Sequence, residues 1–261
     1  MDDILLRADE GAVAVLVLNQ PAKLNALSTP MLHALSAQLD AVAADPALRV
    51  LVIRAEGKAF CAGHDLKEIQ SAREASDGGA QAFATLFALC ATVMQKIAAL
   101  PKPVIAEVQG IATAAGCQLA ATCDMVVAAD HARFGVNGVN IGLFCSTPIV
   151  ALSRKIPQSA AFELATTGDF LTAERAQTLG LVNRIVEPQD LHAETMALAQ
   201  KLAQKLPAAL AIGKAAFAAQ SGQSLPQAYA AAGTAMVENL LDPGTNEGIT
   251  AFLEKRPPNW Q

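Results

Sequence analysis

Residues 103–129 read PVIAEVQGIATAAGCQLAATCDMVVAA, and this stretch decides the fold. Pro101-Lys102-Pro103 stops the element before it, because proline offers no N–H and restricts its neighbour. Val104–Val108 is then a short apolar run, as expected of a strand buried on both faces. Residues 110–116 are small and bounded by glycine, which predicts a loop, and residues 115–122 are apolar enough for a buried helix. Met125–Ala129 is again a short strand. Strand, loop, helix, strand is the unit of a parallel α/β sheet.

Upstream the unit repeats. Val50-Leu51-Val52-Ile53 reads as a buried strand, and residues 56–66 as a loop. Residues 71–79 are polar and glycine-containing, a surface loop. Leu86, Phe87, Cys90, Val93, Met94, Ile97 and Leu100 then fall at amphipathic-helix spacing. Ser28-Thr29-Pro30 starts an earlier helix through Leu32, Leu35 and Leu39, with proline at the first turn. Two apolar alternations, residues 4–7 and 13–18, open the chain as a hairpin, the second ending at Asn19-Gln20-Pro21. From His192 the pattern is helical and alanine-rich, broken at Pro207, Gly222, Pro226 and Asp242-Pro243-Gly244. These breaks predict a core over residues 1–194 and a helical region over 195–261.

Composition narrows the function. Hydrophobic residues make 52% of the 261 and charged residues 16%, which supports a packed core. The net charge is −5 and no basic run occurs, so no nucleic-acid partner is expected. The start, MDDILLRADE, lacks a signal-peptide pattern, and no run of about 18 uncharged apolar residues predicts a membrane span. Five cysteines without a C-x-x-C pair read as reduced thiols, and four scattered histidines argue against a metal site. A cytoplasmic location follows as an expectation.

Six segments, in order, resemble the enoyl-CoA hydratase/isomerase (crotonase) family along nearly the whole chain. They are Asn19-Gln20-Pro21 with Asn25-Ala26-Leu27; Phe60-Cys61-Ala62-Gly63-His64-Asp65-Leu66; residues 103–124; Phe134-Gly135 with Gly142; Ala173-Glu174-Arg175-Ala176 with Gly180-Leu181-Val182-Asn183; and residues 248–256. Residues 112–119 and 138–148 are similar to the "enoyl-CoA hydratase domain-containing" branch. The resemblance implies a spiral of β-β-α units with a C-terminal helical oligomerisation region, assembled as homotrimers or dimers of trimers. It implies lyase or isomerase chemistry of fatty acid metabolism on an acyl-CoA thioester. Coenzyme A would come as part of the substrate, with no permanently bound cofactor.

The resemblance also assigns residues. Two backbone N–H groups, of His64 and Ala115, would hold the thioester oxygen as negative charge develops on it. Ala114-Ala115 stands where two glycines are usual, so the turn must keep φ negative for alanine to fit. Lys23, Leu24, Ala26, Ala62, His64, Asp65 and Leu66 would meet the adenine and pantetheine groups. Lys67 is a candidate phosphate partner or a plain exposed lysine. Phe252 and Lys255 would reach the CoA of the same or a neighbouring subunit, or belong to an amphipathic terminal helix.

The departures lie at the acid and base. The family's two glutamates fall on Gln118 and Gly138, and a third carboxylate position falls near Ser146. None of the three can cycle a proton, which argues against simple hydration. Asn137, Asn140, Cys145 and Ser146 are candidate polar contacts to the acyl group. His64 has the pKa range for acid–base work; Asp65 and Asp124 read better as caps; Glu107 is an unusual carboxylate in an apolar strand. Cys117 and Cys145 read as core thiols or as nucleophiles. Three functions remain open: an enzyme working through a stabilised enolate, an acyl-CoA binder without turnover, and a CoA-thioester hydrolase using Cys145 or His64.

Overall fold

A computed structural model describes residues 3–260; Met1 and Asp2 of the N-terminal stretch, and Gln261, lie outside them. The chain opens with β1 (Leu5–Glu10) and β2 (Val13–Leu18), then α1 (Thr29–Ala44), β3 (Val50–Ala55), β4 (Ala59–Cys61), α2 (Leu66–Ala72) and α3 (Ala80–Ala99). Next come β5 (Val104–Val108), β6 (Ile111–Thr113), α4 (Ala115–Thr122), β7 (Met125–Ala129), β8 (Arg133–Gly135), α5 (Ser146–Leu152) and α6 (Gln158–Thr167). The chain continues through β9 (Phe170–Thr172), α7 (Ala173–Leu179), β10 (Arg184–Val186), α8 (Leu191–Ala203), α9 (Pro207–Ala219), α10 (Leu225–Leu241) and α11 (Pro243–Leu253).

From β3 through β8, successive strands alternate between two sheets. One sheet has the order β1-β2-β3-β5-β7-β10 and the other β4-β6-β8-β9. Only the outer strands β1 and β9 pair antiparallel; the rest are parallel. Each turn of the chain therefore lays one strand in each sheet before a helix returns it, which is the expected β-β-α spiral.

The hairpin turn falls at Gly11-Ala12 rather than at Asn19-Gln20-Pro21, which starts a 3₁₀ turn. Gly11 takes φ +63°, a value glycine adopts without cost. In β2, alternate residues divide between two cores. Ala14, Leu16 and Leu18 join α1 and α3, while Val13, Val15 and Val17 meet Leu191, Met196 and Ala199 of α8. Thus α8 straddles the 194/195 boundary and covers the large sheet. Ser28 caps α1 by accepting from Met31 N at 3.4 Å.

Helix α3 has the length and hydropathy of a membrane span. Its Leu86, Cys90, Val93, Met94 and Ile97 are nevertheless buried in the core beside α1, so it is a core helix. Lys214 of α9 fastens the helical region: Nζ donates to Asp124 Oδ2 (2.7 Å), Ile97 O (3.1 Å) and Lys102 O (3.1 Å). Helices α9 to α11 leave Phe217, Leu225, Tyr229, Leu241, Phe252 and Leu253 more than two-thirds exposed.

Candidate active site

Two neighbouring strands of the small sheet, β4 and β6, end side by side. The chain leaves β4 through Gly63-His64 and leaves β6 through Ala114-Ala115. These turns touch: a Cβ placed on Gly63 would lie 2.8 Å from Ala114 Cβ and 3.3 Å from Ala115 N. Only glycine fits at 63, where φ is +92°.

Peptide planarity then sets where two N–H groups point. Gly63 O accepts from Leu27 N at 2.7 Å. The trans peptide sends the N–H of His64 the opposite way, off Leu27. Ala114 O accepts from Gln118 N at 3.0 Å, the first bond of α4. The N–H of Ala115 therefore points out of the helix N-terminus, where the dipole is positive. Neither N–H donates to any protein group among the described residues. His64 and Ala115 both line one cavity of about 460 Å³.

Ala114 corrects the expected conformation. It has φ 49° and ψ −123°, not a negative φ. Both ends of the residue are held, since Ala114 N also donates to Gly135 O at 2.9 Å. Such a conformation costs an alanine about 1–3 kcal/mol. Ala114→Gly is therefore expected to stabilise by about 1 kcal/mol after glycine's own entropic cost. That is a rise of roughly 2–4 °C in Tm by scanning calorimetry; a lower Tm would show the turn unstrained.

The rest of the cavity is mostly apolar. Leu66, Ile69 and Phe87 line one side, Ile141, Leu143 and Phe144 another, with Ala62, Asn137, Asn140, Cys145 and Ser146 between. Ile69, Phe87 and Thr113 are not singled out as site residues by the sequence; Phe87 reads there only as one position of a helix stripe.

Comparisons with known proteins identify the family. Residues 8–261 match the family model described as Enoyl-CoA hydratase/isomerase. The chain belongs to this family. It is 43% identical over 251 residues to the mitochondrial enoyl-CoA hydratase domain-containing protein 3 of Xenopus laevis, covering 96% of this chain and 84% of that one. A solved enoyl-CoA hydratase from Mycobacterium smegmatis superposes with TM-score 0.94 at 50% identity, covering 99% of both chains. Human enoyl Coenzyme A hydratase domain-containing protein 3 superposes with TM-score 0.93 at 42% identity, covering 99% of this chain and all of that one. The cytoplasmic expectation is corrected by these comparisons: the curated vertebrate relatives are named as mitochondrial proteins.

The family's acid–base positions in this crotonase-family chain hold no carboxylate, and the space at 138 is closed. A Cβ on Gly138 would lie 2.3 Å from Leu143 O and 2.8 Å from Cys145 Sγ. Gln118 is 95% buried, lies outside the cavity lining, and its Oε1 has no partner among the described residues. Ser146 starts α5 and faces the cavity, with its hydroxyl 3.5 Å from Phe144 O. Asn137 Oδ1 accepts from Thr113 Oγ1 at 2.6 Å, and its amide N–H groups have no partner among the described residues. Asn140 lines the cavity and its Nδ2 donates to Gly168 O at 3.3 Å.

The other candidates separate clearly. Asp65 caps α2, accepting from Lys67 N and Glu68 N at 2.9 and 3.4 Å, and sits 3.7 Å from Lys23 Nζ. Leu24 and Lys67 are exposed and Ala26 is buried. Ala62 N donates to Leu24 O at 3.0 Å, which joins the early loop to the site. Phe252 lies on α11 and Lys255 in the turn that follows it; neither lines this cavity. Asp124 accepts from Val104 N at 2.7 Å, as a cap. Glu107 is buried away from the cavity, 2.9 Å from His192 Nδ1 and 3.4 Å from Arg54 Nε.

Burial raises the Cys117 thiol to about 12 and also raises Cys145, so neither forms a ready thiolate. Burial lowers the His64 pKa more than the Leu27 carbonyl and Glu68 raise it. His64 is thus neutral at pH 7. Its stabilising contribution is complete above the ordinary histidine value and declines as pH falls through that value toward the folded one.

Proposed function

We propose that the protein binds an acyl-CoA thioester and stabilises its enolate oxygen between the N–H groups of His64 and Ala115. The observation that carries this is the pair of unengaged amides facing one apolar cavity, each aimed by a carbonyl hydrogen-bonded on its opposite side. In a dry site such donors contribute a few kcal/mol each to a developing oxyanion. In this reading Lys23, Leu24, Ala26, Ala62, Asp65, Leu66 and Lys67 meet the CoA; of these, Ala62 and Leu66 line the cavity. The exposed apolar faces of α9 to α11 fit assembly into trimers, with Phe252 and Lys255 offered to a neighbour's CoA.

Two-glutamate hydration does not fit, because residues 118 and 138 supply no proton-transfer group. Calorimetric titration with butyryl-CoA is expected to give saturable binding, and crotonyl-CoA to be hydrated far below the rate of a glutamate-pair hydratase. Absent binding would overturn the ligand class; fast hydration would overturn the carboxylate argument. The missing acid and base favour a second reading, an acyl-CoA binder without turnover, which predicts the same binding and no product from any thioester. Hydrolysis through Cys145 lacks support, since its thiol has no base partner and is held protonated.

A further inference from the structure

The donor of the first N–H, His64, follows a glycine with φ +92°, the most flexible kind of hinge in a chain. Leu27 N holds the preceding carbonyl at 2.7 Å, but one hydrogen bond alone lets a peptide plane swing about that bond. The His64 side chain supplies a second link to the same residue: Nδ1 lies 3.1 Å from Leu27 O. A carbonyl oxygen only accepts, so Nδ1 carries the proton and Nε2 holds the lone pair. Nε2 is buried without a partner, and the ring meets Phe87 edge-on at 5.6 Å and 80°. The anchor is rigid, since Leu27 is fully buried and precedes Ser28, the cap of α1.

The geometry points to the His64 imidazole as a positioning residue, whose Nδ1–H···O=C bond to Leu27 completes a two-point clamp that aims the His64 N–H at the thioester carbonyl. It is not an acid or base here. Its one ring proton is committed to Leu27, and its lone pair is shut away from water. This rests on the reading of the two amides as the carbonyl site.

Two measurements test it. Ring ¹⁵N NMR of the intact protein at pH 7.5 is expected to show His64 as the Nδ1–H tautomer; the Nε2–H tautomer would overturn the clamp without any mutation. Calorimetry then compares butyryl-CoA with its S-butyl-CoA thioether, which lacks the carbonyl. His64→Ala is expected to reduce the thioester-over-thioether preference by about tenfold, the size of one lost hydrogen bond. His64→Asn, whose Nδ2 can reach Leu27 O, is expected to keep most of the preference. An unchanged preference in His64→Ala, or equal loss for both ligands, would overturn the positioning role alone. A wild type with no preference would overturn the carbonyl site and the clamp together.

Discussion

Gly138→Glu is expected to lose about 3 kcal/mol of stability and to produce no hydratase, alone or with Gln118→Glu. The substitution restores the family's second carboxylate on paper. At 138, however, the first atom of any side chain meets a backbone carbonyl, Leu143 O, at 2.3 Å, with Cys145 Sγ at 2.8 Å. Backbone cannot rotate aside, so the 3₁₀ segment Asn137–Ile141 or the loop at 143–145 has to move. Leu143 N also donates to Gly138 O at 2.9 Å, which ties the two segments together. Displacing one displaces Leu143, Phe144 and Cys145, which line the cavity. For a chain of this length the loss amounts to roughly 6–12 °C in Tm. Differential scanning calorimetry and a crotonyl-CoA assay on single and double variants provide the check. A double variant that melts with wild type and hydrates quickly would show that the loop yields easily.

The legibility of this fold from sequence follows segment length. Helices α1 and α3 span 16 and 20 residues, long enough for a 3.6-residue period to repeat several times. Strands β3, β5 and β7 are doubly covered and read as apolar runs. Strands β4, β6 and β8 have three residues each, too few for any period, and they form because parallel neighbours present ladders to them. The loop expected over 110–116 thus hides β6, the strand that carries Ala114 to the site. Positive φ at Ala114 was illegible for a different reason: residue type argues against it, and two hydrogen bonds from other elements impose it. The His64 and Ala115 pairing was readable only through the motif. Nothing in residues 60–66 alone says that Leu27 lies behind them, or that Gly138 has no room for a side chain.

Gly116→Ala tests the proposed hole from beneath. This glycine is the second residue of α4, and a Cβ on it would lie 2.1 Å from Cys61 O and 2.7 Å from Cys61 C and Cβ. Cys61 is the last residue of β4, so the contact is between the start of the helix that presents Ala115 and the strand that leads to His64. An ordinary carbon–oxygen contact is about 1 Å longer than 2.1 Å, so helix and strand have to separate by about that much. The donors lie on opposite sides of the gap and move apart with it. A misplacement of about 1 Å costs on the order of 100-fold in a positioned reaction. Gly116→Ala is accordingly expected to cost about 3 kcal/mol in stability and to remove any thioester turnover to that extent. Gly213→Ala, in α9 with nothing within 4 Å of its added Cβ, is the matched control. It is expected to be more stable by roughly 0.5–1 kcal/mol, with unchanged thioester recognition. A Gly116→Ala protein that melts with wild type and still prefers thioester to thioether would mean that the two amides are not held at a fixed spacing by this contact, and the hole would have to draw its geometry from elsewhere.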